Sequence, residues 1–188
     1  MKRIVILASG NGSNAERITQ YFSDNKAAEV VAFLTNKSTA KVLERAKKLR
    51  MPAFSFNKIA FSESDAVVNL LKSLQPDIIV LAGFLWKIPI PIINAFPSKI
   101  INIHPALLPK YGGKGMYGSH VHEAVKDNHE TETGITIHYV NEHYDEGAII
   151  HQAKVAIEPS DDVETIANKV HRLEYEHFPK TIAKLLED

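Results

Sequence analysis

No cysteine occurs in the 188 residues. Disulfides, thiolate metal sites and a cysteine nucleophile are therefore excluded. An excess of charge is also missing: 22 basic and 22 acidic residues give a formal net charge of +0. A chain so balanced offers no polyanion-binding surface, so nucleic acid is not an expected partner. Long apolar runs are lacking too. The N-terminal run at 4–8 breaks into Ser9-Gly10-Asn11-Gly12, which is too short for a signal peptide. No run approaches the roughly 20 residues of a membrane span, so no membrane partner is expected. Repeats, low-complexity segments and linkers are not evident. Hydrophobic content of 45% and charged content of 23% fit one soluble domain, expected in the cytoplasm.

What the chain does contain is a regular alternation of apolar runs and amphipathic stretches. Runs at 4–8, 30–34, 77–82 and 100–103 read as strands buried on both faces, with a short strand at 53–56. Helices are predicted from about Ala15, over 40–49, over 66–74 and over 89–95. Ser62 or Ser64 is the expected cap of the third, and Pro76 its stop. This order predicts an α/β fold: a doubly wound, mostly parallel sheet with helices on both faces. After Pro109 the pattern changes to a glycine-rich loop at 111–118, a helix at 119–126 and strands at 136–140 and 148–155. Such late strands add antiparallel edges to a parallel sheet. Ser160-Asp161-Asp162 should cap a last helix, and Pro179 should kink or restart it.

The segment Gly10-Asn11-Gly12-Ser13-Asn14-Ala15 formally fits the dinucleotide pattern G-x-G-x-x-A after a first strand. That pattern also requires an acid at the end of the second strand, and here the strand runs into Leu34-Thr35-Asn36-Lys37. A nicotinamide cofactor is therefore disfavoured. A glycine turn feeding a helix still makes an anion site, since free N–H groups and the helix dipole converge there. Ser13 and Asn14 add side-chain donors, which suits a phosphate monoester.

A second stretch, Asn102-Ile103-His104-Pro105, puts an amide and an imidazole directly after a buried strand, where open α/β sheets bind ligands. Pro105 and Pro109 stiffen it, which suits preorganised stabilisation of a transition state. Asp145, in His143-Tyr144-Asp145-Glu146-Gly147 between two strands, is the acid expected to fold back on His104 and favour its charged form. With no nucleophile nearby, this set suits direct transfer between two bound substrates. The nine histidines include His120-Val121-His122, whose side chains would leave a helix on different faces; with no completing ligands, no metal is expected.

Ser-Gly-Asn-Gly-Ser-Asn at 9–14, Leu-Ala-Gly-Phe at 81–84, Asn-Ile-His-Pro-Ala-Leu-Leu-Pro-Lys-Tyr at 102–111 and the Asp145-Glu146-Gly147 turn together resemble the folate-dependent formyltransferases. The glycine loop is similar to the branch acting on phosphoribosylglycinamide (GAR) in purine synthesis. The resemblance implies a Rossmann-like formyltransferase fold over residues 1–188. Its half 1–100 would bind phosphate, and its half 101–188 would carry catalysis and folate. It implies Asn102, His104 and Asp145 as catalytic residues, and Gly12, Ser13, Asn14 and Glu174 as GAR ligands. Leu85, Trp86, Lys87, Ile88, Asn102 and His138 would contact 10-formyltetrahydrofolate, the co-substrate. A monomer or homodimer is expected. Two departures stand out: Trp86-Lys87 where the family often has arginine, and the long, glycine-rich loop 112–118. The alternative acceptors are another amine, such as an amino sugar nucleotide, or water; a hydrolase or a methionyl-tRNA relative would normally carry an extra domain. A silent nucleotide- or folate-binding module would not need Asn102, His104 and Asp145 together.

Overall fold

A computed structural model describes residues 1–187. The backbone is organised by four short apolar strands: β1 (Lys2–Leu7), β2 (Ala28–Thr35), β4 (Ile78–Leu81) and β5 (Ile100–His104). Adjacent residues of β1 are both buried because the sheet is covered on both faces. Ile4 and Ile6 pack on one side and Val5 and Leu7 on the other, as the two-residue period of a strand requires. Burying each such side chain contributes about 1.5–3 kcal/mol.

The sheet has seven strands in the order β3-β2-β1-β4-β5-β6-β7, with β3 at Ala53–Ser55, β6 at Glu132–Tyr139 and β7 at Ile149–Ala156. The first five run parallel, and β6 and β7 pair antiparallel. The predicted architecture is therefore the observed one. On one face lie α1 (Ser13–Asn25), α2 (Lys41–Leu49) and α7 (Val163–Glu187); on the other lie α3 (Lys58–Ser62), α4 (Ala66–Leu74) and α5 (Ile90–Ala95). Helix α6 (Ser119–Asp127) packs beside α7.

Three local expectations need correction. The one-turn helix α3 falls between two predicted elements, where Asn57 caps it by accepting from the Ala60 N–H at 2.9 Å. Helix α4 has Asp65 in the cap position, while the Ser64 hydroxyl accepts weakly from the Ala66 N–H at 3.4 Å, so the serine contributes from one residue further out than expected. Helix α7 runs through Pro179 as one element, capped by Asp162, which accepts from the Thr165 N–H at 2.8 Å. Proline cannot donate to the carbonyl four residues back. That carbonyl, on Tyr175, instead accepts from Arg17 Nε on α1 at 3.4 Å.

Strand order reverses between β1 and β4, and the crevice of the sheet opens there. The two strand ends are tied together: the Ser9 N–H donates to the Gly83 carbonyl, and the Leu85 N–H to Ser9 Oγ. Among the described residues no helix is long and apolar enough to cross a membrane.

Candidate active site

A cavity of about 680 Å³ occupies this crevice. Its lower wall is the loop from β1 to α1. Gly12 caps α1 with φ +74°, and a Cβ there would meet Val42 Cα at 2.9 Å, so both conformation and space require glycine. The first helical bond runs from the Glu16 N–H to the Gly12 carbonyl. The amides of Ser13, Asn14 and Ala15 thus have no acceptor within the helix, which makes the site anion-seeking. Arg45 pins the loop by donating to the Asn11 carbonyl and side chain at 2.7 and 3.0 Å.

Asn14 reaches across to α7, where its Nδ2 donates to Glu174 Oε2 at 2.9 Å, while its buried Oδ1 has no partner. Glu174 is 7% exposed. Burial raises its pKa, against the opposing pull of the Asn14 hydrogen bond and of His171. The predicted phosphate-site residues Gly12, Ser13, Asn14 and Glu174 therefore line one wall of the same cavity.

The opposite wall is the end of β5. His138, on the neighbouring antiparallel β6, faces Asn102 in register. His138 Nδ1 lies 2.9 Å from the Tyr139 carbonyl and donates to it, leaving Nε2 to accept from Asn102 Nδ2 at 3.1 Å. Asn102 Nδ2 leans at 3.4 Å towards Asp145 Oδ1, a longer and weaker contact. Asp145 closes the group from the loop between β6 and β7. Its Oδ2 accepts from the Gly113 N–H at 2.9 Å and lies 3.6 Å from His104 Nδ1. His104 Nε2 donates to the Tyr111 carbonyl at 2.7 Å. Asn102, His104 and Asp145, separated by up to 43 positions in sequence, are thus brought together around one point.

Their electrostatics refine one expectation. Asp145 and the Tyr111 carbonyl both raise the His104 pKa, but burial outweighs them and the net shift is down. Asp145 therefore opposes the effect of burial on His104 without reversing it. Burial would raise Asp145, yet His138, His104 and the Gly113 N–H outweigh it and keep the carboxylate ionised.

Leu85 lines the large cavity, whereas Trp86, Lys87, Ile88 and His138 line a smaller one of about 60 Å³ on the far side of Asn102 and Asp145. Trp86 belongs to an aromatic group with Phe56, Phe61 and Phe84, and Lys58 Nζ lies 4.8 Å from its ring centre. Several lining residues were not anticipated as ligands: Lys37 at the end of β2, His122 on α6 and His171 on α7. His122 is buried with its Nδ1 unpartnered, and its pKa is lowered to about 4 by burial, His171 and His104. Lys37 was findable, since it follows directly on a parallel strand's carboxyl end.

This fold and this constellation define a transferase class. The chain belongs to the formyl transferase family, whose sequence pattern matches residues 2–182. Among its relatives is the phosphoribosylglycinamide formyltransferase of Bacillus subtilis (strain 168), 38% identical over 99% of this chain and 95% of the relative. The chloroplastic phosphoribosylglycinamide formyltransferase of Arabidopsis thaliana is 37% identical over 100% of this chain, which spans 66% of that protein's length. The solved phosphoribosylglycinamide formyltransferase of Bacillus halodurans superposes with a TM-score of 0.87 at 38% identity, covering 98% of this chain and 95% of that one.

Proposed function

We propose that this chain transfers the formyl group of 10-formyltetrahydrofolate to the primary amine of GAR, a step of purine biosynthesis. One observation carries the reading: an anion-seeking helix start and an Asn–His–Asp group face each other across a single cavity. A phosphorylated amine held at Gly12, Ser13 and Asn14, with Glu174 towards its sugar, would extend its nitrogen to Asn102 and His104. The folate supplies the activated formyl carbon, with Leu85, Trp86, Lys87, Ile88, Asn102 and His138 as its proposed contacts.

As the amine attacks, negative charge grows on the formyl oxygen. Asn102 Nδ2 meets it by giving up its long contact to Asp145. His104 starts neutral, accepts the proton shed by the amine at Nδ1 and, as the imidazolium, holds the oxyanion through a hydrogen bond while keeping that proton. Asp145 stabilises the resulting imidazolium, and the proton passes to the departing folate nitrogen. Holding both substrates in place contributes several kcal/mol of the barrier lowering, on the order of 7–11 kcal/mol in well-oriented systems.

Leu85 from the first sequence half and Glu174 from the second both line the large cavity, so we propose that the halves act as a single catalytic unit in the cytoplasm, as a monomer or homodimer. A turnover assay with 10-formyltetrahydrofolate, with and without GAR, tests the reading. Loss of the formyl group only when GAR is present supports it. Loss without GAR would make the chain a hydrolase, and turnover with another amine alone would reassign the acceptor.

A further inference from the structure

His104 is oriented through Tyr111, and Tyr111 stands in a conformation that its neighbours must enforce. Its φ is +56°, in the left-handed region that a bulky side chain avoids. Asp145, the other neighbour of His104, has φ +56° as well, though an aspartate adopts it more readily. In the segment that follows, the Gly113 N–H donates to Asp145 Oδ2 and the Met116 N–H to the Gly113 carbonyl. Tyr111 itself is held through its side chain: its hydroxyl donates to Glu130 Oε1 at 2.9 Å, and Lys110 Nζ donates to the same oxygen at 2.8 Å.

Glu130 is itself fixed by the end of α6. His129 there has φ +52°, the His129 N–H donates to the Lys126 carbonyl and the Glu130 N–H to the Val125 carbonyl. That crossed pair is a Schellman-type stop, which sets the direction in which the next residue leaves the helix. A rigid helix end thus holds Glu130, Glu130 holds the Tyr111 ring, and the Tyr111 backbone presents its carbonyl to His104 Nε2 at 2.7 Å.

We propose that the Tyr111–Glu130 brace is a positioning device for His104, fixing its tautomer so that Nδ1 faces the reacting atoms. With Nε2–H committed to a carbonyl, the neutral ring has one tautomer, and its Nδ1 lone pair points to the Asp145 side. Without the brace, Tyr111 can relax out of its left-handed backbone and withdraw the carbonyl. Both nitrogens then compete for the proton, as in free imidazole. The proposal rests on His104 being the reacting imidazole; the brace itself touches no substrate.

The titratable groups around His104 are Asp145 from the β6–β7 loop, His138 from β6 and His122 from α6. Of these only Asp145 and the Tyr111 carbonyl favour the protonated ring. Losing the carbonyl therefore leaves burial and His138 less opposed, and His104 should titrate lower.

The test compares Tyr111→Phe, Glu130→Ala and Glu130→Gln with the unaltered chain by two readouts. The first is the His104 titration followed by NMR without substrates. The second is the pH profile of formyl transfer. Tyr111→Phe and Glu130→Ala should each lower the His104 midpoint by roughly half a unit or more, and kcat by on the order of tenfold with KM within about twofold. The acid limb of kcat/KM should move down with the midpoint, and the double variant should be no worse than either single one. Glu130→Gln should stay close to the unaltered chain, because its amide oxygen still accepts from the tyrosine hydroxyl. An unmoved midpoint in Tyr111→Phe and Glu130→Ala, even with reduced thermal stability, would reduce the brace to a structural contact and overturn the proposal. A shift in Glu130→Gln as large as in Glu130→Ala would assign it to Glu130's charge instead. If the unaltered chain transfers no formyl group, the functional reading fails, while the NMR comparison still decides the brace.

Discussion

His104 Nδ1 and Asp145 Oδ2, 3.6 Å apart, are where the proposed mechanism concentrates its proton traffic. Replacing His104 by Ala, or Asp145 by Asn, should lower kcat by about 10²–10⁴-fold, the usual contribution of a positioned acid–base group. Circular dichroism should show both variants folded; near-normal turnover in either would remove that residue from the mechanism. The role proposed for Ser13 lies in a different place. Its hydroxyl adds one donor to the backbone amides at the start of α1, so Ser13→Ala should raise KM for GAR severalfold, about 1 kcal/mol of binding, and leave the folate KM unchanged. A change confined to the folate constant would contradict the phosphate assignment.

Among the elements, the β6–β7 loop is the part whose shape the site depends on most. Gly147 lies against the Tyr139 carbonyl so closely that a Cβ would sit 1.6 Å from its oxygen. The same carbonyl accepts from His138 Nδ1, which in turn sets the acceptor for Asn102. Gly147→Ala must therefore displace backbone two residues from Asp145. A stability loss of roughly 1–3 kcal/mol is expected, together with a kcat loss larger than that stability change explains at assay temperature. Thermal melts beside initial rates would check it, and an unchanged kcat would show that the loop tolerates the shift. The contrast with what the sequence reveals is instructive at this scale. Asn102, His104 and the glycine loop were legible because each belongs to a short contiguous motif whose geometry is local. Tyr111's contribution was not, because a backbone carbonyl leaves no mark on residue type. His171 was missed because only the packing of α6 against α7 brings it to the cavity. Pro179 misled for the same kind of reason: its unpaired carbonyl is answered by Arg17, 158 residues away along the chain.

For the whole molecule, the doubly wound, mostly parallel sheet could be anticipated from doubly apolar strands at even spacing, and the antiparallel β6 and β7 from the change of pattern after Pro109. What it could not foretell was the cost of the site to the fold. Glu174 is a carboxyl buried at the junction of α1 and α7 with its pKa raised above the ordinary value of 4.5, chiefly by burial. The folded state therefore holds that proton more tightly than the unfolded chain. Its contribution to stability is complete below pH 4.5 and is lost as pH rises through the folded pKa. Glu174→Gln, which keeps the shape and cannot ionise, should be more stable than the unaltered protein at neutral pH and should lose that advantage towards pH 4. It should also bind GAR more weakly. Denaturant melts at several pH values would show it, and equal stability of the two proteins at neutral pH would contradict the burial argument. A site that trades stability for binding is expected where function, and not packing, sets the residue.

The measurement closest to the central claim follows the fate of the carbon itself. With 10-formyltetrahydrofolate labelled with carbon-13 in its formyl group, and GAR present, NMR should show the label moving to an amide on the glycinamide nitrogen, at a rate that collapses in His104→Ala. Label released as free formate, or left on the folate while GAR binds, would contradict direct formyl transfer by the Asn102, His104 and Asp145 group.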